Sequence, residues 1–170
     1  MNTFVYVLLL VIILPIPFLF FWFIYYSFDK RAKRVIELLP KDTDAIYTDV
    51  RIWFKGYDML KKTNKFLFSP TKALYAYNLA DLFLFADGLV VIGKIRAYGK
   101  IRMLSPFVIR WPDGSDKLWM VPESVRYAGV ELLGQDIDIS FQDADYTNIV
   151  KLEAKKIGED LYEKMRRRIH

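Results

Sequence analysis

The sequence predicts an α+β protein in which one N-terminal transmembrane helix precedes an antiparallel β-sheet or barrel closed by a C-terminal α-helix. Three observations lead there. The first 28 of the 170 residues carry no charged side chain, and two pairs of apolar runs flank turn sequences between residues 82 and 121. Beyond Phe141 the apolar spacing changes from two residues to three or four. The division that follows is an anchor helix with a basic cytoplasmic extension over 1–39, a connecting segment over 40–65, and a β domain with its helix over 66–170.

From Phe4 to Phe28 the chain reads FVYVLLLVIILPIPFLFFWFIYYSF. At about 1.5 Å per residue this is enough helix to cross a hydrocarbon core of roughly 30 Å. A cleaved signal peptide wants a basic start and small residues at its exit, whereas here the start is Met-Asn-Thr and the exit Tyr25, Tyr26, Ser27, Phe28, so an uncleaved anchor is expected. Pro15 and Pro17 predict a kink or short break. Trp22, Tyr25 and Tyr26 fall where aromatic rings favour the headgroup level. Lys30, Arg31, Lys33 and Arg34 follow, with no Lys or Arg on the other side of the run. That asymmetry places the N-terminus outside the inner membrane and the domain in the cytoplasm. The same four residues are candidate headgroup contacts, each contributing about 1 kcal/mol near an anionic surface. The helix is expected to run through Val35, Ile36 and Leu39 and to stop before Pro40.

Ala45 to Phe54 has the aromatic and β-branched content of a strand, while Val50 to Leu60 fits a short amphipathic helix equally well, and periodicity leaves both open. Phe66 to Pro70 reads as a strand end and turn, followed by Lys72 to Tyr77. In DLFLFADGLVVIGK two apolar runs, Leu82 to Phe85 and Leu89 to Ile92, flank Asp87-Gly88, a strong hairpin signal. A second pair, Met103 to Trp111 and Lys117 to Val121, flanks Pro112-Asp113-Gly114-Ser115. Between the pairs, GKIRAYGKIR alternates apolar and basic residues as an exposed loop or edge strand does. Val125 to Leu133, a turn at Gly134 and Asp136 to Phe141 make a further pair of strands. Val150, Ala154, Ile157, Leu161 and Met165 then form one stripe of a helix from about Thr147 to Arg168, with Asp143, Asp145 or Thr147 as its cap.

This order resembles the pleckstrin-homology-like superfold, in particular bacterial members attached to membrane helices. The residues that carry the resemblance are LFLFADGLVVIG at 82–93, LWMVPESVRYAGVELLGQDIDISF at 118–141, and the segment from DADYTNIV to LYEKM. The resemblance implies a binding or adaptor module. Lipid-binding members place Lys and Arg in the first hairpin loop, where this chain has Ala86-Asp87-Gly88, and that departure counts against phosphoinositide recognition at that loop.

The chain has no cysteine and one histidine, His170, its last residue, so the common nucleophile-and-base pairs and thiolate metal sites are absent. Asp143-Ala-Asp145 has the form that holds a divalent metal, but helix capping explains it. No phosphate-binding glycine loop occurs. No catalytic residue, cofactor or metal is expected. The net charge of +5 lies wholly after residue 28. Lys94, Arg96, Lys100 and Arg102, with Arg166, Arg167 and Arg168, make a possible basic contact surface, for anionic lipid before nucleic acid. The expected function is a non-catalytic, single-pass membrane protein presenting a module for a protein partner, a second copy of itself or the inner leaflet. The alternative is an accessory subunit of a larger membrane complex, with the anchor helix as its main interaction element.

Overall fold

The computed structural model describes residues 13, 15–56, 77–114, 116–142 and 149–169. The order is helix α1 (Pro15–Leu38), strands β1 (Ala45–Lys55), β2 (Leu79–Phe85), β3 (Gly88–Ala97), β4 (Lys100–Met103), β5 (Phe107–Arg110), β6 (Glu123–Leu133), β7 (Asp136–Gln142) and β8 (Ile149–Ala154), then helix α2 (Gly158–Ile169). The strands form the order β2-β1-β8-β7-β6-β5-β3-β4, and a further β2–β3 pairing closes a seven-stranded barrel with β4 attached to β3.

The apolar residues alternate where one face is buried and run continuously where both are. Ala80, Leu82 and Leu84 of β2, Leu89 and Val91 of β3, and Ile137, Ile139 and Phe141 of β7 join one core cluster with Phe107, Ile109, Val150, Leu152 and Ala154. Leu161 and Met165 of α2 belong to the same cluster, and α2 packs against β6 and β7. Val90, Ile92 and Val108 face the other way. They form a second cluster with Phe85, with Ala32 and Val35 of α1, and with Leu118 and Val121. Burial of an aliphatic side chain of this size stabilises by about 1.5–3 kcal/mol, so this outer layer is what holds α1 to the barrel.

Several expectations need correction. No helix among the described residues is long and apolar enough to cross a membrane. Among the described residues, the uncharged part of α1, Pro15 to Phe28, rises about 21 Å, short of the roughly 30 Å core. From Asp29 on, α1 lays its buried residues along the barrel. A single-pass anchor is therefore not supported, nor is the inner-membrane, N-out placement drawn from it. Of the sheet or barrel expected the strands form a closed barrel, but it is not antiparallel throughout, since β5 and β6 pair in parallel. Lys117 to Val121 is not a strand: Asp116–Leu118 is a 3-10 turn. Leu118 and Val121, three residues apart, turn together onto the outer face of β3, and a strand cannot put residues at that spacing on one side.

The C-terminal helix begins at Gly158 rather than near Thr147. Val150, Leu152 and Ala154 are all fully buried, the period of a strand, and β8 lies between β1 and β7. Ala154 satisfies both periods, which is how the stripe misleads. Lys156 takes a φ of 64°, ending the strand, and the Gly158 amide donates to the Gln135 carbonyl at 2.9 Å. A Cβ on Gly158 lies 2.6 Å from the Asp136 carbonyl oxygen, so the approach requires glycine. Part of the segment read as a connection, Ala45–Lys55, is β1. The hairpin at 82–92 is β2–β3, joined through Ala86 and Asp87. GKIRAYGKIR is the β3–β4 hairpin, turning at Tyr98 and Gly99. The readings at 57–76, and those of Asp143, Asp145 and Thr147 as caps or metal ligands, lie outside the described residues.

Candidate functional site

The exposed surface changes character along α1. Its inner stripe is Ile24, Tyr25, Phe28, Ala32, Val35 and Ile36, residues three and four apart that meet the two core clusters. Before Ile24 the helix has no such side. Every residue from Pro15 to Phe23 is exposed, among them Phe18, Leu19, Phe20, Phe21, Trp22 and Phe23, the last at 65%. This end rises about 13 Å beyond the stripe. Tyr98, at the tip of the β3–β4 hairpin, donates its hydroxyl to the Phe18 carbonyl at 3.1 Å. Trp22 and Tyr26 stack with ring centroids 5.5 Å apart and an interplanar angle of 10°. Ile101, 62% exposed, extends the apolar surface onto the hairpin.

A ring of charge follows. Asp29 is buried, accepts a hydrogen bond from the Met103 amide at 3.1 Å, pairs with Lys33 at 2.8 Å, and has Arg102 at 3.8 Å. Burial alone raises its pKa, but the hydrogen bonds from Lys33 and Met103 and the nearby Arg102 outweigh it and hold the carboxyl below its usual value. The Met103 amide and Arg102 thus dock Asp29 of α1 on β4, while Lys33 pairs with Asp29 from within the helix. Lys30, Arg31 and Arg34 are exposed and have no ion-pair partner among the described residues, and neither have Arg96 and Lys100 on the hairpin. By cross-strand register Lys100 shares a hairpin face with Arg102, and Arg96 lies on the opposite one.

The structure therefore divides the basic residues singled out in the sequence. Trp22 and Tyr26 are exposed, whereas Tyr25 packs against the core. Lys94 is no contact residue: its Nζ sits 2.6 Å from Asp81 and 2.8 Å from Asp49, with its side chain 11% exposed. Burial lowers its pKa, but the hydrogen bonds to Asp49 and Asp81 more than reverse this and leave it raised. Arg168 pairs with Asp44 at 2.6 Å, while Arg166 and Arg167 are exposed on α2. Asp44 lies beyond the C-terminal end of α1 and Tyr98 touches Phe18 near the other end, about 30 Å away along the helix axis. The two halves of the expected basic surface do not come together.

A second charged cluster lies on the outer face of β1, β8 and β7. Lys55 is 2.7 Å from Glu153 and 3.5 Å from Asp138, and Lys155 bridges Glu153 and Asp136. Hydrogen bonds from Lys155 and Lys55 hold the Glu153 carboxyl below its usual value. The Asp136 and Glu153 hydrogen bonds push Lys155 up to about 12. Both lysines of the cluster are thus taken up by its three carboxylates. No group of three or more His, Asp or Glu among the described residues is placed to hold a metal ion.

Sequence reasoning missed the roles of Asp29 and Trp119. Trp119 is 74% exposed and faces α1 across a groove lined also by Arg31 and Arg34. The apolar run LWMV gave no signal of it, since such a run can be buried on both faces, as Leu89 to Ile92 is. Compared with known protein families, curated proteins and solved structures, the chain matches none.

Proposed function

We propose that the protein is a non-catalytic binding module that docks on an anionic lipid surface through the exposed aromatic end of α1 and the basic residues beside it. The observation that carries this reading is the helix end from Pro15 to Phe23, in which every residue is exposed, followed within about three turns by unpaired Lys30, Arg31 and Arg34. A protein groove covers one stripe of a helix, whereas a helix end that is apolar all round is best surrounded by lipid. The Trp22–Tyr26 stack lies between the apolar end and the charges, at the level where amphipathic rings favour a membrane interface. Docking of this kind is on a surface and needs no helix long enough to cross it. In this reading the barrel holds α1, the adaptor role that the pleckstrin-homology-like resemblance implies.

Flotation of the full chain with vesicles tests the proposal. More protein is expected to float with phosphatidylcholine mixed with phosphatidylglycerol than with phosphatidylcholine alone. The difference shrinks in high salt, which screens the basic residues. The Trp22→Ser, Phe23→Ser double variant loses most of the binding. Equal flotation of that variant, or no flotation with either vesicle, overturns the reading.

A further inference from the structure

Arg31 and Arg34 stand three residues apart on the same side of α1 and form one wall of a groove of about 320 Å³. Val35 and Leu38 continue that wall, and Trp119 and Met120 face it. The groove wall is almost wholly apolar, and its residues include two arginines and no carboxylate. Neither arginine has an ion-pair or hydrogen-bond partner among the described residues. The volume is at the lower end for small-ligand sites, of roughly 300–1,000 Å³. Two exposed arginines bordering an apolar groove suit a ligand with an oxyanion and a short carbon body.

We infer that this groove binds the phosphate and glycerol of one anionic phospholipid headgroup. The inference rests on the lipid-surface reading and gives it a specific site. Continuity with the exposed end of α1 favours a lipid source over free phosphate. Arg31 lies about 12 Å along the axis from Phe23, so a helix end seated among acyl chains brings Arg31 to the headgroup layer. Trp119, at 74% exposed, is then where an indole is favoured at an interface.

The test uses the full chain in an uncharged detergent, titrated with glycerol 3-phosphate and followed by tryptophan fluorescence. A saturable change is expected that is missing in Trp119→Phe and weakened by about tenfold or more in the Arg31→Gln, Arg34→Gln double variant, since charge-assisted hydrogen bonds are lost. Inorganic phosphate is expected to bind more weakly, and phosphatidylglycerol vesicles to compete. No saturable change, or unaltered affinity in the arginine variant, overturns the inference. Phosphate binding as tightly as glycerol 3-phosphate with no competition by vesicles assigns the groove to free phosphate and also overturns it. So does an acidic glutamate-rich peptide that displaces glycerol 3-phosphate at lower concentration, which identifies a protein surface. The Trp22→Ser, Phe23→Ser variant separates the two claims. It loses vesicle flotation and keeps the titration; if wild type fails to float yet titrates normally, the docking reading fails and the phosphate site stands alone.

Discussion

Lys94 belongs by sequence to one basic stretch with Arg96, Lys100 and Arg102, yet it is a structural staple. Its ammonium joins Asp81 to Asp49, whose amide also donates to Asp81 at 2.9 Å. Asp49 holds a φ of 55° where the β1–β2 register slips, a conformation Asp tolerates better than most residues. Removing the cation leaves a buried carboxylate without its counter-charge. Lys94→Met is therefore expected to cost about 3 kcal/mol, read as a lowered urea midpoint. Adding Asp81→Asn should recover part of the loss; no loss in Lys94→Met rejects the staple. The pattern of charges in a sequence shows where basic residues cluster but not which of them meet carboxylates folded in from other strands. Arg96 and Lys100 stayed at the surface because the hairpin tip reaches past β5, with which β3 pairs only from Gly88 to Val91.

At the scale of elements, α1 combines two functions in one helix. Its later half is an ordinary amphipathic stripe, and its first half has no inner face. Asp29 stands at the junction, joining the helix to β4 through the Met103 amide. Because its folded pKa is lowered, its contribution is present above the ordinary carboxyl value of 3.8 and is lost as pH falls through the folded value. Asp29→Asn is expected to be less stable than wild type by about 2 kcal/mol at pH 7, with the gap narrowing below pH 3.8. Urea unfolding at pH 7 and pH 3 checks this, and a constant gap contradicts it. Most strands were legible because their apolar residues alternate, as in β7. The run at 150–165 was not, since Ala154 and Ile157 fit a helical stripe as well as the strand and turn they form. β3 reads as a continuous apolar run because Val90 and Ile92 are covered from outside by α1, a partner that local periodicity cannot reveal.

At the scale of the molecule, barrel closure is a long-range property. It needs β2 to pair on one edge with β1 and on the other with β3, and it needs β5 to meet β6 in parallel across the 111–122 connection. Trp111 fixes the start of that connection, donating its indole N–H to the Phe85 carbonyl at 3.2 Å and meeting Tyr127 edge-on. No hairpin signal encodes such a crossover, so an antiparallel meander was the natural expectation. The long uncharged N-terminal run likewise suggested a span, but the described helix devotes its charged half to the barrel. What is left is a closed barrel carrying an apolar, aromatic helix end with basic residues beside it.

The central claim is that this end enters lipid. Fluorescence of a chain retaining Trp22 and the buried Trp111, with Trp53→Phe and Trp119→Phe, measures it in vesicles of phosphatidylglycerol brominated on the acyl chains. The account predicts quenching of the Trp22 emission relative to unbrominated vesicles, and no such quenching once Trp22 is also changed to Phe. Bound protein whose Trp22 emission is the same with both lipids contradicts it.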